Sequence, residues 1–87
     1  MDGKAQPVDV ICVCTTEGDI RPLRLRLSES GQSLRVDIDQ ILQVDNNLRF
    51  GAETITFVCG ATVFQHRIKF SLKYCVQSRR WSIIYMS

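Results

Sequence analysis

The sequence predicts an all-β fold, a six-stranded antiparallel meander that closes upon itself. Three observations predict it. Apolar side chains recur at every second position through most of the chain, which is the period of a half-buried strand. Short polar turns separate these runs and keep successive strands adjacent. The end of the chain, Arg67 to Met86, contains two such runs in matched register. There Ile68, Phe70, Leu72 and Tyr74 alternate with Arg67, Lys69, Ser71 and Lys73, and Trp81, Ile83 and Tyr85 continue the pattern. A reversal around Gln77 and Ser78 sets Tyr74 against Trp81, Leu72 against Ile83 and Phe70 against Tyr85, a core hairpin with its bulk on one face.

In order along the chain, residues 1–7 read as a flexible polar lead and 8–87 as a single β-barrel domain. Val8 to Thr15 is the first strand, apolar on both parities, so both of its faces need cover. Gly18 punctuates the turn that follows. Ile20 to Leu27 is the second strand, with Leu23, Leu25 and Leu27 inward, Arg24 and Arg26 outward, and Pro22 placing its start near an edge. A turn centred on Ser30 and Gly31 pairs Leu27 with Leu34, Leu25 with Val36 and Leu23 with Ile38. The same register sets Arg24 opposite Asp37 and Arg26 opposite Arg35, the second pair unfavourable unless an anion lies nearby.

The third strand continues through Leu34, Val36, Ile38, Leu42 and Val44. A helical turn over Asp39 to Val44 is the alternative to a bent strand, which we prefer. Asp45, Asn46 and Asn47 read as the next turn, setting Val44 against Leu48 and Leu42 against Phe50. Past Gly51 the apolar parity moves from even to odd, at Ile55, Phe57 and Cys59, which predicts a bulge or a sharp bend near Gly51 to Glu53. Gly60 and Ala61 are expected to turn the chain into a fifth strand that runs from Val63 into the core hairpin. Curling such a meander hides its apolar face and its edges, so the expected product is a small, partly open SH3-like barrel.

Composition bounds the function. A chain of 87 residues, 45% hydrophobic and 23% charged, has room for one core. No apolar run approaches the roughly 18 residues of a membrane span, and the first residues lack the basic and apolar regions of a signal peptide. A cytoplasmic location without membrane contact is the expectation, with Cys12, Cys14, Cys59 and Cys75 as reduced thiols. The net charge of +2 is unevenly spread: all nine acidic residues lie at or before Glu53, and five basic residues follow without an acid.

Candidate chemistry is sparse. Cys12 and Cys14 share one side of a strand and Cys59 an inner parity, but zinc needs four convergent ligands and Cys75 points outward at a turn, so no metal or cofactor is expected. His66 reads as a partly buried core histidine facing Ile55. Asp37 and Asp39 point the same way, yet Arg24, Arg26 and Arg35 would keep both ionised, which suits a charge ladder better than an acid/base pair. With no phosphate loop, nucleophile elbow or dinucleotide fingerprint, the chain reads as a non-enzymatic binding module.

Two surfaces compete for that role. Ile11, Val13, Ile84 and Met86 lie off the core parity of the terminal strands, where a protein partner or a second copy of the chain would bury them. Arg67, Lys69, Lys73, Arg79 and Arg80 line the outer side and tip of the core hairpin and could meet nucleic-acid phosphates. Exposed aromatics for base stacking are not expected, since Phe64, Phe70, Tyr74, Trp81 and Tyr85 fall on the core parity, so self-association stands first and nucleic acid second.

The run Ile20-Arg21-Pro22-Leu23-Arg24, the Val36-Asp37 pair, Thr54-Ile55-Thr56-Phe57 ending in Cys59, and Arg67 to Tyr74 with Trp81 resemble short bacterial proteins of Firmicutes, particularly gut clostridia. The resemblance implies a small all-β domain and transfers no site residue.

Overall fold

The computed structural model describes residues 5–29 and 31–86. Among them run seven strands: β1 (Gln6–Pro7), β2 (Asp9–Cys14), β3 (Ile20–Glu29), β4 (Gln32–Arg49), β5 (Ala52–Val63), β6 (His66–Cys75) and β7 (Arg80–Met86). They form one antiparallel sheet in the order β1-β7-β6-β5-β4-β3-β2. The all-β meander is thus present, with seven strands rather than six. The first predicted strand begins earlier than expected and breaks at Val8, so Gln6 and Pro7 of the supposed lead pair with Ile83 and Ser82. Met1 to Lys4 lie outside the described residues. The two ends of the sheet are therefore consecutive pieces of one segment, and Val8 donates its N–H to the Trp81 carbonyl at 3.2 Å where the segment crosses over. The sheet curls into an open half-barrel.

Two hairpins keep the predicted register. In β6–β7, Phe70 pairs with Tyr85, Leu72 with Ile83 and Tyr74 with Trp81. In β3–β4, Leu27 pairs with Leu34 and Leu25 with Val36. Leu23 departs from its predicted place: β3 pairs Arg24 with Ile11 but Pro22 with Cys12, so Leu23 is an extra, bulged residue. Parity flips there, Pro22 takes the inward position, and Leu23 is left exposed. The close Arg26–Arg35 pair is relieved as twist draws each head to its own carboxylate, Arg26 to Asp9 at 2.8 Å and Arg35 to Asp37 at 3.7 Å.

The middle of the chain differs most from expectation. Asp45 to Asn47 do not turn but continue β4, and the reversal comes at Phe50 and Gly51, with φ of 51° and 77°. Positive φ at both central residues is the geometry whose twist suits a two-residue hairpin. The same arrangement recurs at Phe64 and Gln65, with φ of 49° and 68°, so β5 runs straight through Gly60 and Ala61 and ends at Val63. No bulge is needed at Gly51 to Glu53, because a two-residue turn pairs Arg49 with Ala52 and so matches even positions with odd ones. The irregularities lie in β4 instead, where Asp39 and Leu42 are each skipped by the β5 pairing. Eighteen residues at about 3.3 Å each would span roughly 60 Å, more than the 38 Å longest extent of the molecule, so the strand must bend. Each bulge flips parity, and together they return Val44 to the inner face it would have held without them.

The core lies under the β3–β7 part of the sheet, with Leu25, Val36, Phe57, Cys59, Ala61, Phe70, Leu72 and Ile83 all buried. Trp81 closes one end, its ring 4.7 Å from Tyr74 and 5.7 Å from Phe57 between centroids.

Candidate interaction surface

The sheet splits between β3 and β4. Their pairing runs only as far as Arg24 with Asp37, after which Ile20–Leu23 stays with β2 while the strand from Ile38 to Arg49 stays with β5. Between them opens a cleft of about 830 Å³, its apolar wall formed by Ile20, Pro22, Ile38, Ile41, Val44 and Phe57. Each lip carries backbone N–H and C=O groups without a strand partner, the feature that invites another strand.

The far lip is the more exposed. Toward the Phe50–Gly51 turn β4 and β5 form an arm, on which Val44 is 55%, Leu48 71% and Phe50 104% exposed. Val44 and Leu48 share the inner face of the arm with Phe57 and Glu53, their partners across the hairpin. The arm is not loose. Its β5 side pairs with β6 from Thr54 onward, and the Gln77 side chain clamps its tip, accepting from the Glu53 N–H at 2.9 Å and donating to the Gly51 carbonyl at 3.3 Å. A rigid ribbon therefore presents an open edge.

The four residues predicted for an apolar interface are dispersed. Ile11 and Val13 are exposed on the outer face of β2, beside Arg24 and Arg21. Ile84 is half-buried on the outer face of β7, opposite Ser71, and the Met86 side chain lies outside the described residues. Because Gln6 pairs with Ile83, Ile84 and Ile11 lie about 20 Å apart along that segment at strand rise. Leu42, Val44, Leu48 and Phe50 were missed because Asp45-Asn46-Asn47 reads as a turn. The absence of Gly from residues 45–50 was the available signal that the strand continues.

The basic face is thinner than its sequence. Arg67 is taken up by Asp39, one guanidinium nitrogen donating to both carboxylate oxygens at 2.9 and 2.7 Å and to the Thr62 hydroxyl at 3.1 Å. To reach β4 it lies across Gly60, where a Cβ would come within 2.7 Å of its other nitrogen. Lys69, Lys73, Arg79 and Arg80 are exposed. Phe64, expected on the core parity, is instead exposed at a turn. Asp37 is held by Arg24 at 2.6 Å, so the two aspartates serve separate ion pairs.

His66 corrects its reading as a core histidine: it pairs with Val63 at the turn, not with Ile55, and is exposed. Among the described residues no group of three or more His, Cys, Asp or Glu is placed to hold a metal ion. The thiols differ in environment. Burial pushes Cys59 up to about 11. Burial, and then the neighbouring Cys14, raise Cys12. Hydrogen bonds from Ser78, side chain first, hold Cys75 below the ordinary thiol value. No helix among the described residues is long and apolar enough to cross a membrane.

The geometry defines an antiparallel half-barrel with a split sheet and an exposed β4 edge. No family model, curated protein or solved structure matches the chain.

Proposed function

We propose that this chain is a non-enzymatic protein-interaction module, an SH3-like small barrel that self-associates through the open edge of β4. The observation that carries the reading is the unpaired strand edge beside Val44, Leu48 and Phe50. A second copy is the best occupant. From Gln40 to Leu48 the only charged residue is Asp45, and the segment holds no lysine or proline of the kind that protects natural edges. Two such edges meeting about a two-fold axis consume each other, so assembly stops at a dimer. The edge of β2 is a weaker platform, being six residues long and flanked by Arg21, Arg24 and Arg26.

The test is solution mass by light scattering across a salt series, with and without a short mixed-sequence RNA. A dimer indifferent to salt and RNA, converted to monomer by Val44→Lys, supports the reading. A monomer at all salts that binds RNA only at low ionic strength overturns it and favours the exposed Lys69, Lys73, Arg79 and Arg80 as phosphate contacts.

A further inference from the structure

A second concavity lies at the corner where the N-terminal segment passes from β7 to β3. It has a volume of about 500 Å³ and its lining includes Asp9, Arg26, Ser28, Arg79, Arg80 and Trp81. Three arginines and one aspartate therefore line the same groove. Asp9 engages Arg26 through a single 2.8 Å contact, which leaves the other donors of that guanidinium available. Among the described residues Arg79 and Arg80 make no ion pair. Three arginines against one aspartate leave the corner with surplus positive charge, which an oxyanion received between them would neutralise.

The backbone adds an independent observation. The β6–β7 turn ends on Arg79 at φ 58°, held by its N–H bond to the Cys75 carbonyl at 2.8 Å. Glycine takes this conformation freely, and a long side chain does not. Arg79, which lines the groove, is thus anchored at its backbone by the turn.

We propose that this corner binds a phosphate dianion, with Arg79 and Arg80 as its charged clamp, Arg26 as a further donor and the Ser28 hydroxyl as a neutral one. The groove is several times larger than a phosphate ion and falls within the size range of small-molecule sites. It thus has room for an organic body on the phosphate, beside the edge of Trp81. Free phosphate and a phosphate monoester share the chemistry, and the experiment separates them.

Trp81 is the only tryptophan and lines the groove, so its fluorescence reports occupancy. The chain is titrated at constant ionic strength with inorganic phosphate, ribose 5-phosphate and adenosine 5′-monophosphate, and in parallel as the Val44→Lys variant so that association does not contribute. A saturable change is expected, weakened tenfold or more by Arg79→Gly and by Arg80→Gln. Arg79→Gly relieves the turn and keeps the fold, which an unchanged or higher unfolding midpoint verifies. Saturation at tenfold lower concentration with the esters assigns the site to a phosphate monoester, and equal saturation assigns it to free phosphate. Absence of a saturable change with all three, or a change that both variants leave intact, overturns the proposal.

Discussion

At the scale of single residues, the two phenylalanine turns and the buried thiol have measurable consequences. Phe50 holds φ 51° with its ring wholly in solvent, so nothing within the chain offsets the strain of that conformation. Phe50→Asn creates the Asn-Gly pair that two-residue hairpins prefer. In the monomeric Val44→Lys background it is expected to raise stability by about 1 kcal/mol, read as a higher denaturant midpoint with unchanged slope. A loss would show that the ring is packed in solution. Cys59 is fully buried, and its thiol titrates near 11 in the folded chain against an ordinary value of 9.0. Below about pH 9 the thiol is protonated in both states, and its contribution is fully present. Between about 9 and 11 the unfolded chain releases the proton first, so stability falls as pH rises. Denaturant midpoints from pH 7 to 11 should show this slope, and Cys59→Ala should flatten it while lowering the whole curve through lost packing.

Elements differ in how far their sequence determined them, and the differences have physical causes. The β6–β7 and β3–β4 hairpins were legible because each carries a run of alternating bulk on both sides of a reversal, so only one register buries both runs. In β4 the alternation is broken by Asp39 and Leu42, and a bulge leaves no compositional mark when the inserted residue is itself polar on one occasion and apolar on the other. The Phe64–Gln65 turn lacks glycine, asparagine and proline altogether, and only tertiary pairing of β5 with β6 fixes it. Of the candidate surface, the exposed lysines could be read from parity, whereas the arm could not, since its existence depends on where β4 turns. What holds the arm is equally non-local. Gln77 reaches across twenty-six positions to Gly51, and its two side-chain bonds are each worth about 0.5–1.5 kcal/mol. Gln77→Ala is therefore expected to lower stability by about 1–2 kcal/mol and to speed amide exchange at Ala52 and Glu53 while leaving the β3–β4 hairpin protected. Uniform loss of protection would mean that the clamp is part of the global fold.

For the whole molecule, the question is whether the split sheet is complete as one chain. Leu25, Val36, Phe70 and Leu72 are almost fully buried on one side of the structure, while Val44, Leu48 and Phe50 remain in water on the arm. A half-barrel with such a distribution has a core sufficient for folding and an apolar surface that gains by association. Under the proposed association, two copies sharing the β4 edge would link their folding to protein concentration, because association favours the native chain over the unfolded one. The thermal midpoint of the wild type is therefore expected to rise by several degrees over a hundredfold increase in concentration. Val44→Lys removes the apolar contact and sets a charge on the edge, so its midpoint should not depend on concentration. At high dilution, where both chains are monomers, the two midpoints should converge to within a few degrees, since Val44 is exposed there and contributes little to the monomer core. A concentration-independent midpoint in both chains would mean that the edge is unused. A large deficit in the variant at every concentration would place Val44 in the folding core of the monomer instead.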